Sequence, residues 1–370
     1  MRFAQLLLLA ASLFSLSAAA DDIKIGYTAS LTGAHVAEGA YQQKSIKLAV
    51  KQINDGGGIN GRKIVLVTED THSTNEGAVD AFRALAETHK VAAVVGSSKS
   101  THALGFAPIA SKDGVPTLIG GTNPRITESG NRFVFRVRPD DSIVALGMVR
   151  FIKEDLKLTK IGIINDADAF GSGGANLVEK NANELGIKVV KRESYKLGTR
   201  DFKPLLRAIK EAGAEVVVVY GTSTTDSGYL LKEYRDFGAP FPLIGSASCQ
   251  QQAALQIAKE KANGIYAMAD AIPGSSPASK KFVEDFKKEY HEEADMSHAY
   301  SYDAMNLLAL AIKTAGSDDR AKIRDALAAT KGYQGVLGTY SFNKNGDGLF
   351  ETNVVRIEND AAKLVRTIHM

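Results

Sequence analysis

Short runs of β-branched and apolar residues alternate with longer stretches in which apolar residues recur every three or four positions. Ile23 to Tyr27 (IKIGY) reads as a strand. From about Val36 to Asn54, the residues Ile46, Ala49, Val50 and Ile53 share one helical face, and Asp55-Gly56-Gly57-Gly58 stops that helix. Strand KIVLV (Lys63 to Val67), a helix from about Asn75 to His89 and strand VAAVVG ending at Gly96 follow. A helix from about Thr101 to Asp113 and strand PTLIG, ending at Gly120, complete this unit. The pattern restarts after Pro139 with a helix from about Ser142 to Leu156, strand KIGIIN (Lys160 to Asn165) and a helix from about Gly173 to Leu185. Next come strand IKVVKR, helix DFKPLLRAIKEA, strand AEVVVVYG, helix SGYLLKEYRDFG, and strands FPLIGS and GIYAMAD. Helices near Ala278 to Tyr290 and His298 to Thr314 precede a strand and an Asn345-Gly346 turn, with TNVVRIEND as the last strand. Strand–helix alternation of this kind builds parallel sheets covered on both faces, here as two doubly wound α/β units.

The first twenty residues change the picture. Arg2 gives a positive start, an uncharged and mostly apolar stretch runs from Phe3 to about Ser15, and Ala18-Ala19-Ala20 precedes Asp21-Asp22. This reads as a secretory signal peptide cleaved after Ala20. Its apolar run is shorter than the ~20 residues that a bilayer core needs. The remaining chain is too long for one ordinary core. The 45 basic and 42 acidic side chains nearly balance, which gives no reason to expect nucleic acid or an anionic membrane as partner. Cys249 is the single cysteine, so an exported chain has no internal disulfide, and a buried apolar role suits this thiol better than a nucleophilic one.

In open parallel sheets, ligands bind beyond the carboxyl ends of the strands. The strand-to-helix loops at residues 28–39, 96–103, 120–127, 165–174, 221–228 and 245–249 are mostly rich in Gly, Ser and Thr. Backbone N–H groups at a helix start, joined by hydroxyls, suit a carboxylate, although many such residues serve only as helix caps. Competing motifs are weak. Gly171-Ser172-Gly173-Gly174 lacks the dinucleotide-binding spacing, His291-Glu292-Glu293 has no second histidine at metal spacing, and no Gly-x-Ser-x-Gly elbow occurs. Nothing argues for an enzyme, a metal or a cofactor.

The segments IKIGYTASLTG, INDGGGINGRKIVLVTED and VVGSSKSTHALGFAPIASKDGVPTLIGGT resemble the substrate-binding proteins of branched-chain amino-acid ABC transporters. The resemblance implies a type I periplasmic-binding fold, with two doubly wound parallel-sheet lobes joined by three hinge crossovers. Lobe one is then 21–140 plus 273–347, and lobe two 141–272 plus 348–370. It also implies a periplasmic monomer without cofactor, closing on a small-molecule ligand and docking on an inner-membrane ABC permease. Carried over residue by residue, Ser100 would bind a ligand carboxylate and Thr122 the carboxylate and ammonium. Backbone groups near Ser98, Gly120 and Gly121 would complete that half-site, and Phe170 would cover the ligand from lobe two. Thr222 and Ser223 are further candidates on the facing lobe.

Two departures stand out. Where the family usually places an acid from lobe two against the ammonium, Ala247 stands, leaving Asp226, Asp270 and Asp303 as candidate substitutes. His72 and Lys99 occupy places where some members carry a disulfide; Lys99 brings a positive charge near the cleft mouth, where solvation is its ordinary role. An aliphatic amino acid such as leucine, isoleucine or valine is the expected ligand. An aromatic or short aliphatic acid, a small amide, or a role in presenting ligand to a sensor are the alternatives.

Overall fold

The computed structural model describes residues 21–359 and 361–369; the expected signal peptide lies outside the described residues. The first sheet has strands β1 (Ile23–Ala29), β2 (Ile64–Asp70), β3 (Ala93–Val95), β4 (Thr117–Ile119) and β5 (Val134–Arg136) in the order β2-β1-β3-β4-β5. All its pairings are parallel. The second contains β6 (Lys160–Asp166), β7 (Lys188–Tyr195), β8 (Val216–Tyr220), β9 (Leu243–Gly245) and β10 (Tyr266–Ala269). A small antiparallel pair, β11 (Tyr333–Gln334) and β12 (Thr339–Tyr340), precedes β13 (Glu351–Glu358) and β14 (Ala361–His369). These last two strands join the second sheet antiparallel, giving the order β14-β13-β10-β9-β8-β6-β7.

Burial explains the strand compositions. Every residue of β8 (VVVVY) is buried, as a central parallel strand covered on both faces requires. Val217 and Val219 face one core with Leu230, Tyr234 and Leu255. Val216, Val218 and Tyr220 face the other with Phe151, Ala175 and Val178. The first sheet is sandwiched likewise. Ile25, Tyr27 and Leu118 pack beside Phe282, Phe286, Tyr300 and Leu308, while Val94 and Ile119 pack beside Phe82 and Phe106.

The chain passes between the sheets three times: after β5, after β10 and before β13. The passages are tied together. Arg136 Nε donates to Asp347 Oδ1 at 2.9 Å, Arg138 Nε donates to Asp270 Oδ2 at 2.6 Å, and Asn353 Nδ2 donates to the Asp270 carbonyl at 3.3 Å. This is the type I periplasmic-binding arrangement that the resemblance implies.

The structure also adds to the sequence reading. Strands β5 and β14 and the helix Arg320–Ala328 were not anticipated. The helix expected from Gly173 begins at Ala169, capped by Asp168, whose carboxylate accepts from the Gly171 N–H. Its glycines answer to packing rather than to a loop. A Cβ on Gly171 would lie 2.0 Å from Asp166 Oδ1, and one on Gly174 would lie 2.0 Å from the Tyr220 ring. Cys249 is buried, and burial pushes its thiol up to about 12.

Candidate functional site

Loops from the two sheets meet at the carboxyl ends of their strands. After β1 comes the helix Val36–Asp55, with Glu38 in its first turn. After β3 comes the helix Ser100–Lys112, and after β4 the turn containing Thr122 and Asn123. Facing them are the starts of the helices Ala169–Glu184 and Thr224–Phe237, which follow β6 and β8. Hydrogen bonds cross the gap. Asn123 Nδ2 donates to the Ala169 carbonyl at 2.9 Å, and Lys99 Nζ donates to the Thr222 carbonyl at 3.3 Å. Thr224 donates to Glu38 Oε1 through its N–H at 3.2 Å and its hydroxyl at 2.9 Å. Beside the hinge, Gln250 Nε2 reaches Ser297 Oγ at 3.0 Å. The lobes are closed on each other.

Between them lies a cavity of about 40 Å³ lined from the first-sheet side by Glu38, Ser98, Lys99, Ser100, Arg138 and His298. Phe170, Gly221, Thr222, Ala247, Ser248 and Gln251 line it from the other side. A solute seated there would touch both lobes at once.

Of the residues singled out from sequence, Ser98, Ser100, Phe170 and Thr222 come together around this cavity. Ser100 Oγ accepts from the N–H groups of Thr122 at 3.3 Å and Asn123 at 3.2 Å. Its own proton remains available for an acceptor in the cavity, beside the first turn of a thirteen-residue helix. Ser98 Oγ accepts from Gln42 Nε2 at 2.8 Å. The Phe170 ring rests on Tyr220, with centroids 5.0 Å apart.

The other candidates sit elsewhere. Thr122 is buried one layer behind Ser100, with its side chain toward Asp141. Gly120 and Gly121 lend their carbonyls to Arg138 at 3.2 Å and Arg136 at 2.9 Å, and a Cβ on Gly120 would strike the Tyr300 ring. Ser223 caps its helix by accepting from the Asp226 N–H at 3.2 Å. Asp226 points away from the cavity: it accepts from Arg200 Nη1 at 2.6 Å and the Gly198 N–H at 2.8 Å. Asp303 lies under the first sheet, accepting from the N–H groups of Val336 at 2.8 Å and Leu337 at 2.9 Å. Neither acid lines the cavity. Asp270 is committed to Arg138, whose Nε it holds at 2.6 Å.

Lys99 corrects the solvated reading. It is 7% exposed, and its Nζ lies 3.6 Å from Glu38 Oε1. Sequence reasoning passed over Glu38 because an acid in the first turn of a helix is an ordinary dipole partner. Only the facing lobe makes it a buried group, 2% exposed. Burial raises its pKa, but Lys99 and His35 outweigh burial and hold the carboxyl well below the usual range. Burial, then the Lys99 charge, lowers His35, and the same two causes bring His102 to about 3. Behind the cavity, Asp166 and Asp168 hold Thr222 through its N–H and its hydroxyl. Burial and the Asp168 charge raise Asp166. Among the described residues no group of His, Cys, Asp and Glu could hold a metal ion, and no helix is long and apolar enough to cross a membrane.

A protein family described as periplasmic binding protein matches residues 22–362. The Leu/Ile/Val-binding protein homolog 1 of Brucella abortus (strain 2308) is 29% identical over 328 residues, 88% of this chain and 87% of that protein. The structure of the leucine binding protein LivK from Thermotoga maritima is similar with a TM-score of 0.88 at 27% identity, covering 94% of this chain and 99% of that one. The branched-chain amino acid transporter substrate binding protein LivJ from Streptococcus pneumoniae, in complex with isoleucine, gives 0.85 at 29% identity, covering 93% and 99%.

Proposed function

Since the chain belongs to the periplasmic binding protein family, we propose that it is the substrate-binding component of an ABC importer. In this reading it works in the periplasm after loss of residues 1–20, binds a small carboxylate-bearing solute between lobes 21–140 plus 273–347 and 141–272 plus 348–370, and presents it to a membrane permease. It performs no chemistry on that solute. One observation carries the reading: Ser100 lines the inter-lobe cavity with a hydroxyl proton free to donate, its oxygen already anchored by two backbone N–H groups. A carboxylate received there accepts a charge-assisted bond at a helix N-terminus. The names of the relatives support an amino acid as that carboxylate.

Closure follows from the same geometry. A ligand that touches both lobes favours the closed state by the contacts it gains only there. The test is a thermal-shift screen of amino acids beside aromatic and short aliphatic acids, followed by scattering with any hit. A true ligand raises the melting temperature by mass action. Absence of any carboxylate hit, or turnover of one, would sink the proposal.

A further inference from the structure

We infer that Glu38 seats a cationic nitrogen of the ligand, and that the ligand is a small zwitterion with a polar remainder. This rests on the carboxylate reading above.

The argument is one of unfilled valence. Two cations line the cavity, and each is already paired with a buried acid. Arg138 is held by Asp270 at 2.6 Å and by the Gly120 carbonyl at 3.2 Å. Lys99 donates to the Thr222 carbonyl at 3.3 Å and pairs with Glu38 Oε1 at 3.6 Å. That same Oε1 also takes both donors of Thr224. Glu38 Oε2 is buried with no hydrogen-bond partner among the described residues, on a side chain that lines the cavity. What this carboxylate oxygen lacks is a donor. A second carboxylate on the ligand would meet two cations whose charge Glu38 and Asp270 already balance, and would face Glu38. An N⁺–H group would make the short, charge-assisted bond that an ionised carboxylate oxygen favours.

The position fits the anomaly in the sequence. Ala247, where the family usually places its acid, does line the cavity, and so does Glu38 from the opposite lobe. The structure assigns the acid's role to lobe one. Ser100 and Glu38 then form a pair of opposite demands, one offering a proton and one needing it.

The remainder of the ligand follows from the lining. Phe170 and Ala247 are the apolar side chains there, against Glu38, Lys99, Arg138 and several hydroxyl, amide and imidazole groups. An aliphatic side chain pressed against such a wall strips polar groups of water and returns no hydrogen bond. A hydroxyl or carboxamide returns one.

The experiment is calorimetric titration of the wild type, Glu38→Gln and Glu38→Asp. The probes are alanine with lactate and propionate, asparagine with succinamate, and leucine with isocaproate. Alanine or asparagine should bind, with its amine-free partner about tenfold weaker or more and leucine weaker than asparagine. Glu38→Gln should lose about tenfold for the amino acid and much less for the amine-free acid, while Glu38→Asp keeps the preference and shows that the fold is intact. Equal binding of alanine and lactate, an unchanged preference in Glu38→Gln, or leucine as the tightest probe would overturn the inference and leave the carboxylate reading standing. No binding by any probe would overturn both.

Discussion

Arg138 Nε donates to Asp270 Oδ2 at 2.6 Å, and this bond ties the first passage between the lobes to the second. Both side chains are buried, and the guanidinium borders the cavity. Burial alone would lower the Arg138 pKa, but Asp270 outweighs it and raises it. Removing one partner strands the other charge. Asp270→Leu or Arg138→Met alone should therefore cost about 3–5 kcal/mol in denaturant unfolding, whereas the two together should cost less than either single change. Additive losses in that cycle would mean that the two groups do not act as a pair.

Ser100→Ala should weaken ligand binding by about tenfold, since a hydrogen bond to a charged group contributes roughly 1.5–3 kcal/mol. It should also lower the unliganded melting temperature, because the N–H groups of Thr122 and Asn123 lose their acceptor. Titration and melting of the variant read the two effects separately. An unchanged dissociation constant would remove Ser100 from the site.

Asp141 carries a pH dependence. Burial pushes its carboxyl from its ordinary value of 3.8 up to about 7, against the opposing pull of Tyr220, Arg136 and Thr122. Between those values the folded chain holds a proton that the unfolded chain has released. The stabilisation from this group is full below about pH 4 and is lost as pH rises through about 7. Asp141→Asn keeps an acceptor for the Tyr220 hydroxyl, which lies 2.9 Å from Oδ1. The variant should melt above the wild type at about pH 8, with the gap closing toward about pH 5. A gap constant across that range would contradict the assignment.

Cys249 should report unfolding. Its thiol is buried and pushed up to about 12 by that burial. A disulfide reagent should label the native protein far more slowly than the denatured one, since the thiolate is the nucleophile and is scarce here. Equal labelling rates would place the thiol at the surface.

The alternation of strand and helix was legible because each central strand must be apolar on both faces and each helix on one. What escaped sequence reading depended on partners far along the chain. β5 is only three residues long and sits beside β4 with no periodicity of its own. β14 exists because β13 offers an edge to pair with. The glycine-rich stretch after β6 read as a loop because the Tyr220 ring that demands those glycines lies on another strand. At the cleft, the strand-to-helix loops were legible as places for a ligand, and the family resemblance picked Ser98, Ser100 and Phe170 out of them, with Thr222 a further candidate on the facing lobe. Glu38 and Lys99 were not, since each reads as a surface charge until the other lobe covers it. Asp226 and Asp303 were singled out for their charge, but local donors claim them: Arg200 for the first, the Val336 and Leu337 backbone for the second.

The late return of the chain to both sheets dictates the order of assembly. The core of the first sheet needs Phe282, Tyr300, Leu308 and Tyr340, and the second sheet needs β13 to cover the edge of β10. A chain interrupted before Glu351 therefore leaves the second sheet with a bare strand edge, the kind of surface that templates aggregation. Contacts so distant in sequence form slowly and collect late. The first lobe has its whole core once Leu349 is made, whereas the second becomes protease-resistant only when the C-terminal hairpin has docked.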